Sequence, residues 1–139
     1  MAAKGFNDNP IVAGESLRAD NLVVRLIANG AITKGTFVEL VTDGHVKAAT
    51  ATVGGPIGIA LESAAQANDE IVVLIEGIGS VTCDSTGCNL GDFLMPNASG
   101  NADVATLGTN TIVGLAVSDG PANGTVSVLL RMITATGGA

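Results

Sequence analysis

The sequence contains no tryptophan and no tyrosine, and only three phenylalanines, Phe6, Phe37 and Phe93. Any core must therefore be filled by Val, Ile, Leu and Ala. Cations are scarce as well: six Lys and Arg against thirteen Asp and Glu give a formal net charge of −7. Phosphate contacts need clustered cations, so nucleic acid is not expected as a partner. No basic amphipathic helix is present to lie on an anionic membrane. No apolar run approaches the roughly 18 residues that span a bilayer as a helix. The opening stretch, MAAKGFNDNPIVAGESLRADN, lacks the apolar segment of a signal peptide, which points to synthesis in the cytoplasm.

Groups that carry chemistry are few. His45 is the only histidine. It stands beside an Asp43-Gly44 turn with no histidine or cysteine near it in sequence, and reads as a solvated turn residue rather than a base or ligand. Two cysteines, Cys83 and Cys88, bound the hexapeptide CDSTGC. A zinc site would require a second ligand pair, and a thioredoxin-like motif would require C-x-x-C. Two readings stay open. Ser85-Thr86-Gly87 could bring the Cα atoms within the ~4.4–6.8 Å of a disulfide, adding at most about 2 kcal/mol, or the pair are ordinary thiols. Asp84, Asp92, Asp103 and the adjacent Asp69-Glu70 follow no calcium-loop spacing. Gly77-Ile78-Gly79-Ser80 does not complete a serine-nucleophile elbow, and no phosphate-cradling glycine motif occurs. The expectation is a protein without catalytic, metal or cofactor sites.

What is abundant is punctuation. Nineteen glycines, with many Thr, Asn and Ser, cut the 139 residues into short Val/Ile-rich pieces. That pattern favours an all-β domain with frequent turns. A chain of this length forms one domain and buries about 68% of its unfolded surface. Phe37-Val38-Glu39-Leu40-Val41 is strand-like, Asp43-Gly44 signals a type I′ hairpin, and Val46 opens the return strand. Asn29-Gly30 marks a similar turn. LESAAQAN (61–68) has helical propensity, but its counterpart VSDGPANG (117–124) reads as turn, so both are expected to be loops.

That counterpart exists because the chain repeats itself. An offset of 56 places Gly35 on Gly91, Phe37 on Phe93, Gly44 on Gly100, Ala49-Thr50 on Ala105-Thr106, and Gly58 and Ala60 on Gly114 and Ala116. An offset of 55 then places Ala67-Asn68 on Ala122-Asn123 and Val73-Leu74 on Val128-Leu129. The Val-rich pieces NLVVRLI (21–27) and EIVVLIE (70–76) open modules one and two, and TVSVLLR (125–131) is a third such strand at the end. Counting from Val73, module two carries about seven extra residues around the cysteines. Two modules are too few for a solenoid. The expected architecture is a compact barrel-like or sandwich β domain at 22–139, built from two similar modules (about 22–76 and 71–132) and a short Gly-rich tail. The modules clasp each other in a closed or nearly closed structure, the last strand near the first, which removes exposed edges. Residues 1–21 form an extended N-terminal arm, too poor in apolar residues to fold alone.

The succession VVRLI, KGTFVELV, DGHVKAA, GPIGIALESA and NDEIVVLIEG, over roughly residues 22–131, resembles the head decoration (capsid cement) proteins of tailed bacteriophages. The resemblance implies a β-rich structural virion protein on the outer capsid surface. It would bind the major capsid protein, associate as a homotrimer, and cement neighbouring subunits against the pressure of packaged DNA. On this reading the arm contacts the shell through Phe6, Pro10, Ile11, Val12, Leu17 and Arg18, ordering as an added strand on a capsid edge. The Cys-bounded segment is not a feature the family accounts for. Two alternatives stand beside it. One is another virion structural module, a head-fibre base or tail-tube component. The other is a non-catalytic barrel-like carrier or binding domain, which would want a lysine at a hairpin tip; Asp43-Gly44 has none, and Lys47 lies beyond.

Overall fold

The computed structural model describes residues 21–50, 56–106 and 111–134, and these form ten β-strands and no helix. The first five are β1 (Leu22–Ala28), β2 (Phe37–Thr42), β3 (His45–Ala48), β4 (Pro56–Ala60) and β5 (Glu70–Glu76). They close into a barrel in the order β1-β3-β2-β4-β5, with β1 antiparallel to β5 and parallel to β3. The second five are β6 (Ile78–Thr82), β7 (Phe93–Pro96), β8 (Ala102–Val104), β9 (Thr111–Ala116) and β10 (Thr125–Thr134). Their sheet has the order β6-β10-β9-β7-β8. This is the order of the barrel opened at one seam, between β6 and β8. A single parallel bridge, Cys83 to Ala102, stands where the barrel has the pairing Ala28 to Val46.

Away from the contact between the modules, the repeat is reproduced in matching hydrogen bonds. Isolated bridges Ile32–Ala64 and Cys88–Gly120 occupy matching places. Ala28 N–H donates to Asp69 O, and Cys83 N–H to Gly124 O, both at 2.8 Å. Asn68 (φ 75°) and Asn123 (φ 57°) hold the same left-handed turn position, which asparagine tolerates better than most residues.

These pairings correct four sequence expectations. EIVVLIE does not open module two; it is β5, the last strand of module one. Module two opens with β6, IGSVT, whose glycine disguises it. Registers β1–β5 and β6–β10 align Val24 with Gly79 and Leu26 with Val81. From Ala28 to Phe37 is then nine steps and from Cys83 to Phe93 ten, so the cysteine segment carries one extra residue rather than seven. Closure also lies elsewhere: β10 pairs with β6 and β9 of its own module, not with β1. Finally, Gly44 (φ 68°) takes the left-handed position and Asp43 does not, so the β2–β3 turn is not type I′. A register shift between Leu40 and Thr42 absorbs the difference.

Alternation along the strands separates two cores. Val38, Val46, Ala60, Ile71 and Val73 fill the barrel together with Ala28, Ile32 and Ala64. Their chain neighbours Phe37, Ile59 and Leu74 point the other way and are 0–1% exposed. They join Val81, Cys83, Cys88, Leu94, Ala102, Val113, Ala116, Val126 and Val128, the interior of module two. The outer face of the closed barrel therefore plugs the open one. Backbone bonds fix the plug: Phe37 N–H donates to Gly100 O at 2.8 Å, and Thr82 N–H donates to Gly35 O at 2.9 Å. In module one the amide matching Thr82, Ile27 N–H, goes instead to Gly44 O of its own hairpin at 2.9 Å. Full burial of each of the three plug side chains stabilises by roughly 1.5–3 kcal/mol.

Gly79 leaves the space that the plug uses. A Cβ there would stand 2.7 Å from Leu74 Cδ2 and 3.1 Å from Ile59 Cδ1. Its counterpart in the closed barrel is Val24, half-buried against the core. Gly79→Val should therefore destabilise the protein by about 1–3 kcal/mol through overpacking, measured as a drop in the urea midpoint. An unchanged midpoint would mean that the modules do not interlock here.

Candidate functional site

The arm residues Phe6, Pro10, Ile11, Val12, Leu17 and Arg18 lie outside the described residues. His45 sits at the hairpin tip with its ring Nδ1 2.8 Å from Asp43 O. Among the described residues no three His, Cys, Asp or Glu side chains gather as a metal site.

Cys83 and Cys88 are free thiols, 0% and 3% exposed, inside module two. They occupy the places that Ala28 and Ile32 take in the closed barrel, and Gly120 stands where Ala64 does. A Cβ on Gly120 would lie 2.5 Å from Cys83 Sγ, so the glycine makes room for the sulfur. Burial, a hydrogen bond with Cys83 and the nearby Asp84 and Asp92 charges push the Cys88 thiol up to about 12. A thiol so raised is a poor nucleophile at neutral pH. Packing accounts for the pair without any chemistry.

Beside them lies a carboxyl pair. The Asp84 carboxylate accepts hydrogen bonds from Thr86 N–H (2.9 Å), Thr86 Oγ1 (2.8 Å) and Gly87 N–H (3.1 Å). Burial pushes its pKa up, but these bonds and one from Asp103 outweigh it and hold it below the usual range. Burial, and the hydrogen bond to Asp84, raise Asp103. The two straddle the incomplete seam, where Asp84 N–H donates to Ala102 O at 2.9 Å.

A groove of about 410 Å³ runs along the junction of the modules, lined by Lys34, Gly35, Ala60 and Leu61 from one side and Ser80, Val81, Thr82 and Thr125 from the other. It holds one cation and three hydroxyl side chains, and no acid–base pair. Larger apolar groups stand in the open elsewhere. Leu90 is 65% and Ile78 54% exposed, and Leu22, Val23, Leu40, Val41, Val104 and Val117 are also exposed. Exposed singly, such groups are ordinary on a protein surface and mark no site by themselves. Sequence reading passed over Leu90 and Val117, although the 56-residue offset sets them on Lys34 and Leu61, residues of the groove.

The fold has a solved counterpart. The head fibre gp8.5 N base of bacteriophage phi29 superposes with a TM-score of 0.60 over 79% of this chain and 93% of that one, at 16% sequence identity. No protein-family profile matches the chain, and no curated protein matches it. The all-β architecture of closed barrel and second sheet is thus one that a known protein also adopts.

Two outcomes test the site chemistry. In native protein at neutral pH, a thiol reagent should leave both cysteines unmodified, and denaturant without reductant should release both. The Cys88 thiol titrates near 9 unfolded and near 12 folded, so its contribution to stability is complete below pH 9 and declines as pH rises toward 12. Rapid native labelling would contradict this burial. Asp103, with its folded pKa raised, contributes fully only at acid pH and loses that contribution as pH rises. Asp103→Asn should raise the melting temperature at about pH 7 and leave it unimproved at about pH 3. A fall at both would show that the folded state does not disfavour the Asp103 carboxylate.

Proposed function

We propose that the chain is a structural protein of a bacteriophage virion that docks on the assembled head and serves as the base of a surface appendage. The observation that carries this reading is the fold match, which covers nearly the whole of a head-fibre base. Three features of the molecule agree with it. The modules are joined through Gly77 alone and interlocked by a shared core, which suits a load-bearing block. The titratable clusters are explained by packing and turn geometry. Eight large apolar side chains among the described residues are exposed and available to a partner.

A second reading, that the chain cements neighbouring subunits of the shell, is favoured by the sequence resemblance to head decoration proteins over residues 22–131. Both readings place the protein on the outside of the head and need no reaction. They differ in what is lost without it. A cement protein binds the assembled shell in preference to free subunits and so stabilises it by mass action.

Particles assembled without the protein separate the two. For an appendage base, electron microscopy shows density missing from the outer head surface while the temperature at which heads release DNA is unchanged. For a cement protein, that temperature falls. Particles with an unaltered head surface would remove both readings.

A further inference from the structure

Module two carries its own copy of the segment that plugs it. In module one this segment is Gly35-Thr36-Phe37; in module two it is Gly91-Asp92-Phe93. The local geometry is the same. Gly35 and Gly91 have φ of 84° and 91°. Each glycine N–H donates to an alanine carbonyl of the fourth strand of its module, Gly35 to Ala60 at 2.9 Å and Gly91 to Ala116 at 2.8 Å. Phe37 O accepts from Ala49 N–H and Phe93 O from Ala105 N–H, both at 2.8 Å.

The outward side differs. Gly35 O and Phe37 N–H are engaged by Thr82 and Gly100. The matching Gly91 O and Phe93 N–H find no partner among the described residues. Phe37, Ile59 and Leu74 are fully buried, whereas their counterparts Phe93, Leu115 and Leu129 are only half-buried. Flanking them, Leu90 is 65% and Val117 37% exposed. Lys34, which borders the groove in module one, thus has an exposed leucine as its counterpart, on a face that no described strand covers. β7 is an inner strand, paired with both β8 and β9. What stands open here is thus not a sheet edge but two backbone groups without a partner among the described residues. Exposed apolar side chains flank them, a combination that a protein partner can cover.

The same chain shows what this face can bind, because its twin in module one is already an interface. The occupant there is an open β seam that offers one N–H, one carbonyl and a glycine at the point of closest approach. Among the described residues a second copy has no such seam to give. Its module two is filled by its own plug. Its module one is closed by Ile27 N–H to Gly44 O and Asn29 N–H to Val46 O, at 2.9 and 2.7 Å. The positions matching Ser80 and Thr125 there carry Arg25 and Glu70, an ion pair at 3.6 Å with both side chains exposed.

We propose that the Gly91–Phe93 segment, through its open Gly91 carbonyl and Phe93 N–H and with Leu90 and Val117 beside it, is the surface by which the chain docks on the head, and that its partner is a shell protein presenting an unpaired β-strand edge. The partner edge donates one N–H to Gly91 O, accepts one from Phe93 N–H, and receives the Phe93, Leu115 and Leu129 side chains in an apolar depression. This rests on the head-docking reading above and names the face that performs it.

The test uses full-length protein and phage heads assembled without it. Leu90→Asp combined with Val117→Asp alters two exposed side chains, so the fold should persist, which a melting curve checks. Wild-type protein should co-sediment with the heads, and the double variant should bind at least tenfold more weakly. If wild type binds and the folded variant binds equally, this face is not the contact, while the head-docking reading survives. If wild type does not sediment with heads, that reading falls and takes the inference with it. If the double variant instead dissociates a wild-type oligomer in sedimentation velocity, a second copy covers the face and a shell partner is overturned.

Discussion

The open seam of module two, and its filling by Phe37, Ile59 and Leu74, is the constraint on which the rest of the molecule depends. A five-stranded β sheet left open would expose two edges and an apolar interior. Here the closed barrel supplies both remedies, the apolar side chains for the interior and the Gly35–Phe37 backbone for the edges. Gly79 stands where module one has Val24, and Leu74 and Ile59 occupy the volume that a side chain there would need. Gly100 meets Phe37 O at 3.0 Å from where its Cβ would be, whereas nothing lies within 4 Å of the matching point on Gly44. Two copies of one module have thus become unlike where they touch, one shaped as plug and the other as socket.

Such an arrangement makes the two modules one mechanical unit. Its two cores are separate but share a wall, since neighbouring residues of β2, β4 and β5 point into one or the other. Sliding the modules apart would expose three large apolar side chains at once and break two backbone hydrogen bonds. The thiols and the carboxyl pair, which in isolation suggest chemistry, both belong to the seam. The cysteines fill the interior beside it, and Asp84 and Asp103 bridge its outer margin.

Much of this was legible in the sequence, and the parts that were not share a cause. The paired offsets of 56 and 55 located the repeat because Gly58 and Gly114, or Asn68 and Asn123, perform the same local task in each module. Strand character followed from Val-rich alternation, and the loop at 61–68 from its turn-rich twin. The sequence misled where the modules engage. β6 is short and carries Gly79 in place of an interior valine, so EIVVLIE was the better match to the opening strand, and seven residues seemed inserted where there is one. Closure within each module was hidden for a related reason. β1, β5 and β10 are all long apolar strands, and their similarity says nothing about which pairs with which. The candidate face at Leu90 and Val117 could have been found from the repeat alone, by asking where a groove residue had turned apolar.

The one-residue connection at Gly77 bears on how the chain reaches its native state. Module one can close its ladder using only residues that leave the ribosome before residue 77, whereas module two needs the finished outer wall of its predecessor to complete its interior. Synthesis from the N-terminus therefore presents a template before the strands that require it, and tethers the two at high local concentration. The barrel is thus available as a scaffold for its sibling while the second half is still being made.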